Sequence, residues 1–191
     1  MTRTDDFRPG SWAIPECLQT ERLLLRRYRA SDAQQVSDAI EESRASLERW
    51  TPEIATRRSA AEVAAGLDSL AVAWRAGRKF VYAVLDRSTR QFMGEVGLYT
   101  IDWQTRSATI GLWLRSAARG QDFGREGFVA LATHAQQSLG LQTLDAHIQP
   151  ANERSRHLAE RAGFSLCGAM PGHPARDATD NLMLVYRLQV A

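Results

Sequence analysis

The chain has 191 residues, 44% of them hydrophobic and 24% charged, and its 24 basic and 22 acidic side chains leave a net charge of +2. This length suits one domain that buries roughly 70% of its unfolded surface without a disulfide or metal staple, and the composition argues against wholesale disorder, collagen-like repeats and a membrane-embedded protein. The small basic surplus argues against a dedicated nucleic-acid binder, although its make-up is unusual, since Lys79 is the only lysine and every other basic residue is an arginine.

Residues 1–19 include Asp5, Asp6, Pro9 and Gly10 and hold no apolar run, so a loose arm is expected rather than a secretory leader. Residues 20–191 are expected to form a single domain. No stretch reaches the ~20 apolar residues of a membrane-spanning helix. Cys17 and Cys167 lie far apart without CxxC spacing, which suits a reducing cytosol and no structural disulfide.

Glu21 to Arg29 reads as a first strand, with Arg26, Arg27 and Arg29 on a solvated face. Ser31 and Gln34 have capping-box spacing, so a helix is expected from about Asp32 into the forties. Leu47 to Pro52 (LERWTP) reads as a second short helix or turn that Pro52 ends. Ser59 and Glu62 repeat the capping-box spacing, and Val63, Leu67, Leu70 and Trp74 follow at helical intervals until Gly77. The period then changes. Lys79 to Asp86, Gln91 to Thr100 and Ser107 to Arg115 read as strands. Phe128, Leu131, Ala135 and Leu139 mark a helix, Gln142 to Gln149 a strand ended by Pro150, and Glu153 to Ala162 a short helix. Two strands, near Phe164 to Met170 and Asn181 to Leu188, close the chain. The order predicts a mixed α/β domain around one sheet, with a parallel crossover from 107 to 149.

The first candidate site lies where a strand runs into Arg119, Gly120, Gln121, Asp122, Phe123 and Gly124 and a helix follows at once. Unpaired N–H groups at a helix start carry partial positive charge and can cradle a phosphate, and Arg119 and Arg125 could add charge-assisted contacts. An ordinary strand-to-helix turn would read the same way. The loop is neither a Walker loop nor a GxGxxG fingerprint. In the second segment, Asn152 closes a strand, where it can cap the next helix, and Ser155 lies in that helix's first turn. Glu95, between Gly94 and Gly97 in a central strand, is a candidate general base or else an outward-facing carboxylate. His173 and Asp177 are weaker candidates on a loop, His147 could reach a cleft from its strand face, and His134 and His157 read as helix-surface residues. No His or Cys cluster has metal-ligand spacing, so no metal is expected. Trp50 and Trp103 could line an acceptor pocket, and Arg57 and Arg58 could touch an acidic partner.

Together these segments resemble the GNAT superfamily of acyl-CoA-dependent N-acetyltransferases, and within it the branch of ribosomal-protein N-acetyltransferases. Arg119 and Gly124 match the ends of the family's Arg/Gln-x-x-Gly-x-Gly/Ala loop, and Ile110 to Leu114 (IGLWL) is similar to the strand before it. Asn152-x-x-Ser155, then Gly163-Phe164 and Gly168, is similar to the family's second motif. TERLLLRRY (Thr20 to Tyr28), LERWTP and the closing VYRL also fit, so the resemblance covers about residues 20–188. It implies a mostly antiparallel central sheet with a parallel, splayed strand pair and flanking helices. It also implies a cytoplasmic enzyme that moves an acetyl group from acetyl-CoA to a primary amine, such as the amino terminus of a ribosomal protein. Alternative acceptors are a small amine or antibiotic, and a further alternative is a domain that only binds acyl-CoA. No nucleic-acid or membrane partner is expected, and a monomer and a homodimer both fit.

By the same resemblance, the pantetheine arm lies between the strands at 107–115 and 142–149, against the backbone of Leu112, Trp113 and Leu114. The pyrophosphate sits on the loop from Arg119 to Arg125, and Asn152 and Ser155 face the thiol, with Ser155 supplying or relaying a proton to it. The chain departs from the pattern at Asp122, where the loop's first glycine stands, at Ala159, where many members carry a Tyr, and at Pro174, near which the branch has an acid.

Overall fold

The computed structural model describes residues 15–57, 59–172 and 182–189. Its elements are β1 (Cys17–Gln19), β2 (Leu23–Arg27), α1 (Ala33–Trp50), α2 (Pro52–Ala55), α3 (Ala60–Arg75), β3 (Phe80–Asp86), β4 (Phe92–Asp102) and β5 (Ser107–Leu114). There follow α4 (Phe123–Gln137), β6 (Thr143–Ile148), α5 (Glu153–Arg161), β7 (Ser165–Pro171) and β8 (Leu182–Gln189). All eight strands join one sheet in the order β1-β2-β3-β4-β5-β6-β8-β7. Every neighbouring pair is antiparallel except β5 and β6.

Successive strand residues point to opposite faces, and both faces are covered. On one, Leu23, Leu25, Tyr82 and Val96 pack with Phe128 and Leu131 of α4. On the other, Leu24, Ala83, Leu85 and Phe92 pack with Ile40 of α1 and with Val63 and Leu67 of α3. The all-buried run of β3 follows from its place in the middle of this sandwich.

The Ser59–Glu62 capping box forms as its spacing predicts: Glu62 N–H donates to Ser59 Oγ at 3.2 Å and Ser59 N–H to Glu62 Oε2 at 3.1 Å. Other expectations are revised. α1 does not start from a Ser31 cap. A 3-10 turn, Ala30–Asp32, precedes it, and Arg29 N–H donates to Asp32 Oδ2 at 2.7 Å. Leu47 to Trp50 is the last turn of α1, and Pro52 opens α2, where its missing N–H costs nothing. Cys17–Gln19, inside the expected arm, is a short edge strand against β2. Arg26 does not face solvent: Nη1 and Nη2 each meet a carboxylate oxygen of Asp32 at 2.7 Å, and Asp32 is 4% exposed. His134 is buried within α4 rather than on its surface.

The parallel pair sets up the site. β5 and β6 pair only at Ser107↔Thr143, Ala108↔Leu144 and Thr109↔Asp145. Beyond Thr109 the two strands share no register, while β5 stays paired with β4 as far as Leu114.

Candidate active site

The gap between β5 and β6 opens into a cleft of 1040 Å³. Arg115 N–H donates to Met93 O of β4 at 3.0 Å. Backbone direction alternates along a strand, so Leu112 and Leu114 turn their N–H and C=O groups away from β4 and toward the gap. The Leu114 carbonyl accepts from Arg119 Nε at 3.1 Å and Nη2 at 2.9 Å. Leu112 therefore keeps both of its backbone groups for a ligand in the gap.

The loop after β5 is held from two sides. Glu42 of α1 accepts from Ala117 N–H at 2.7 Å and pairs with Arg115. Glu126 of α4 pairs with Arg22 and accepts from Thr20 Oγ1 at 2.5 Å. Between these anchors, the N–H groups of Gly120, Gln121, Asp122, Phe123, Gly124 and Arg125 find no acceptor among the described residues, and the first intrahelical bond is Glu126 N–H to Asp122 O at 3.1 Å. Six consecutive unpaired donors at a helix start make an anion cradle. Gly124 lets the start of α4 pack closely on β5 and α5: a Cβ there would lie 3.0 Å from Leu158 Cδ1 and 3.4 Å from Leu114 Cδ1.

Asp122 occupies the left-handed region, at φ 64° and ψ 7°. Its carboxylate turns to Arg125 Nε at 2.8 Å and to Arg161 Nη1 at 3.2 Å. The hydrogen bond from Arg125, helped by the charges of Arg125 and Arg161, holds the carboxyl below its ordinary pKa against the opposing effect of burial. Arg119 and Arg154 also line the cleft, and burial together with the charge of Arg154 lowers the Arg119 pKa. Paired cations that repel each other in this way favour an anionic ligand.

Asn152 caps α5, accepting from Ser155 N–H at 3.2 Å. Ser155 lines the cleft, and its Oγ has no hydrogen-bond partner among the described residues. Trp113 lines the same cleft. Glu95 does not. It is 6% exposed, opposite Ala83 and Trp113 in the sheet, and its two oxygens accept from Tyr28 Oη at 2.8 Å and Tyr99 Oη at 3.1 Å. Tyr99 reaches Glu95 by lying across Gly97, where a Cβ would come within 2.9 Å of the ring. Burial pushes the Glu95 carboxyl up, against the pull of Tyr28, Arg57 and Tyr99. Burial and the Glu95 charge raise both tyrosines well above their ordinary value, which keeps their hydroxyls protonated.

His147 and His157 both line the cleft. His147 is half-buried on β6, its imidazole has no hydrogen-bond partner among the described residues, and burial lowers its pKa despite the nearby Asp145 charge. Trp50 lines the cleft, whereas Trp103 packs on Phe80 and donates to Gly77 O at 3.1 Å. His173, Pro174, Asp177 and Arg58 lie outside the described residues. Arg154, Arg161 and Met183 join the lining without any signal in the sequence, because contacts such as Arg161 to Asp122 span 39 residues.

The acetyltransferase (GNAT) domain model matches residues 22–165. The chain belongs to the GNAT acetyltransferase family. This GNAT acetyltransferase is 22% identical over 171 residues to the uncharacterized N-acetyltransferase YoaA of Bacillus subtilis, covering 90% of this chain and 95% of that one. Its fold is similar to that of RimL, the ribosomal L7/L12 alpha-N-protein acetyltransferase solved with coenzyme A, at TM-score 0.84 and 19% identity over 92% of this chain and 98% of that one. It is equally similar to the microcin C7 self-immunity acetyltransferase MccE, solved with acetyl-CoA and AMP, at TM-score 0.84 and 14% identity over 94% and 99% of the two chains. The eight-stranded mixed sheet with one parallel pair is the GNAT fold.

Proposed function

We propose that this GNAT acetyltransferase uses acetyl-CoA to acetylate a primary amine, with a protein amino terminus as the leading acceptor class. The observation that carries the reading is the conjunction, in one cleft, of a strand gap with free Leu112 backbone groups and a run of six unpaired N–H groups at the start of α4. These fit the two ends of a long thiol cofactor, the amide-bearing arm in the gap and the pyrophosphate on the loop. Bound there, acetyl-CoA supplies a thioester carbonyl and a thiolate leaving group.

Leu112 N–H, turned into the gap, stabilises charge on a carbonyl oxygen beside it. Ser155 Oγ, on the cleft wall and free of internal bonds, gives or relays a proton to the departing sulfur. An ammonium cannot attack, so a group must also take the amine proton. Two side chains compete for that role. Glu95 has a raised pKa but lies behind Tyr28 and Tyr99, so a proton reaches it only through their hydroxyls. His147 lines the cleft directly, and its lowered pKa keeps the imidazole neutral at pH 7. The equal fold likeness to RimL and MccE keeps a small-amine acceptor as a second reading.

Calorimetric titration with acetyl-CoA, followed by free-thiol release with an amine panel, tests the function. Binding in the micromolar range and amine-dependent thiol release are expected, and no binding at millimolar acetyl-CoA would overturn the reading. Binding without thiol release would leave an acyl-CoA-binding domain. Ser155→Ala should lower kcat by at least about tenfold at unchanged acetyl-CoA affinity. Glu95→Gln and His147→Gln then separate the proton acceptors, since only the true one removes the acid limb of the kcat/KM profile.

A further inference from the structure

Arg22, the residue before β2, grips the turn that opens α4. Its Nε donates to Glu126 Oε2 at 2.7 Å and its backbone N–H to Glu126 Oε1 at 3.0 Å. Its Nη1 donates to the Gln121 carbonyl at 3.0 Å, and its guanidinium lies 4.5 Å from the centre of the Phe123 ring. These contacts lie behind the anion cradle. Gly120 and Asp122 to Arg125 line the cleft, whereas Arg22, Gln121 and Glu126 do not. Arg22 therefore touches the cradle and not what the cradle holds.

The bond to the Gln121 carbonyl fixes which way a donor points. In a trans peptide the C=O and N–H point in opposite directions. A Gln121 C=O drawn toward Arg22 thus turns the Asp122 N–H the other way, to the side on which Asp122 lines the cleft. A helix begun one residue earlier would give the same carbonyl to the Arg125 N–H and take that donor from the cradle. The orientation is strained at Asp122, whose φ of 64° and ψ of 7° are those of the third residue of a type II turn, where glycine is favoured. Turning the 121–122 peptide over would reverse the sign of that φ and give the type I values that most residues adopt. It would also aim a carbonyl oxygen, in place of an N–H, at a bound phosphate. Local preference at Asp122 thus opposes the cradle, and among the described residues the Gln121 carbonyl accepts from no group other than Arg22.

We propose that Arg22 is a positioning residue for the cofactor: by holding the Gln121 carbonyl, it keeps the 121–122 peptide in the strained orientation that presents the Asp122 N–H to the pyrophosphate. This rests on the acetyl-CoA reading above. Strain of this kind persists only where the surroundings enforce it, and here a side chain 99 residues distant in the chain does so.

The test measures coenzyme A binding by calorimetry for Arg22→Met, which keeps an unbranched stem over Phe123 but cannot donate, in three backgrounds: wild type, Asp122→Gly and Asp122→Asn. Glu126 keeps its bonds from Thr20 Oγ1 and the residue 22 N–H in all of them. In the wild-type background Kd should rise about fivefold, because the competent orientation becomes the minor one. With glycine at 122 the rise should shrink to about twofold, since glycine takes either sign of φ alike. Asparagine removes the charge but not the strain, so the fivefold rise should persist. The same rise in all three backgrounds, which a merely structural role predicts, overturns the proposal, as does no rise in the wild type. A rise abolished by asparagine as well as glycine overturns it too, because the coupling then lies in the charge. If Arg22→Met fails to fold, Arg22→Lys, which keeps a cation beside Glu126 without the planar fork, carries the same comparison. NMR of the ligand-free protein gives a readout independent of the cofactor. The strong amide-to-Hα NOE of a positive φ at residue 122 should be present in the wild type and lost in the Arg22 variant, and its persistence there overturns the proposal. If the NOE is lost but the wild type binds no coenzyme A, Arg22 holds the peptide and it is the acetyl-CoA reading that fails.

Discussion

Replacing Asp122 by glycine should tighten the binding of acetyl-CoA. Asp122 stands at φ 64°, where glycine is at ease and other L-residues pay about 1 kcal/mol. Its ion pairs with Arg125 and Arg161 are partly exposed, with side-chain exposures of 36% for Asp122 and 40% and 63% for the arginines. Pairs of that kind contribute about 0–1 kcal/mol, so the backbone relief roughly offsets their loss and stability should change little. The effect on binding has a definite sign. A carboxylate about 8 Å from a phosphate charge in a water-like medium repels it by about 0.5 kcal/mol. Two such charges give about 1 kcal/mol, or about fivefold in Kd, and the release of Arg125 and Arg161 toward the ligand adds to this. Asp122→Asn removes the charge while keeping a residue that tolerates the left-handed backbone, so it should tighten binding to a similar degree. Calorimetry at low and high salt is the assay, and the gain should shrink as salt screens the exposed loop. Unchanged affinity in both variants would refute the repulsion argument, and weaker affinity would further show that Asp122 helps the cofactor by holding the two arginines.

Asp32→Asn should lower unfolding stability at pH 7 by about 3 kcal/mol, because it leaves Arg26, whose side chain is 13% exposed, without its counter-charge. Burial alone would raise the Asp32 pKa, but the Arg26 bonds and the Arg29 N–H outweigh it, so the folded value lies below the ordinary 3.8. Its contribution is therefore full above that ordinary value and is lost as the pH falls through the lower folded value. Urea unfolding that shows a constant difference from pH 7 down to pH 2 would contradict this assignment. Gly94→Ala should cost more than about 3 kcal/mol, since at φ 154° a Cβ would lie 2.2 Å from Trp113 O and 2.8 Å from Leu114 Cα, backbone atoms that cannot step aside. A melting temperature like that of the wild type would show that the strand pair there is softer than its geometry implies.

The elements set by local chemistry were legible in the sequence. The Ser59–Glu62 capping box, the apolar run of β3 and the Asn152 cap each depend on residues within a few positions of one another, and each forms. The loop at 119–125 was legible for the same reason, because a strand that runs through glycines into a helix leaves its N–H groups free wherever it occurs. Features set by distant partners were hidden. Arg26 looked like one of several surface arginines, and only the turn that carries Asp32 back to it makes it a buried ion pair. Pro52 stops one helix and starts another equally well, and the choice depends on how α1 packs. Glu95 stood out by its glycine neighbours, but its enclosure needs Tyr28, 67 residues away, and a ring laid over Gly97.

The short β5–β6 pairing has a mechanical consequence. Strands β1 to β5 form one antiparallel block and β6 to β8 another, and three residue pairs stitch them together. A body built this way yields at its seam, so the two blocks should rock about Ser107 to Thr109 while each stays stiff within itself. A molecule lodged between Leu112 and His147 would act as the missing stitches. Amide exchange at 110–114 and 146–149 should then slow on addition of CoA, while exchange at β3, deep in the first block, stays as it was.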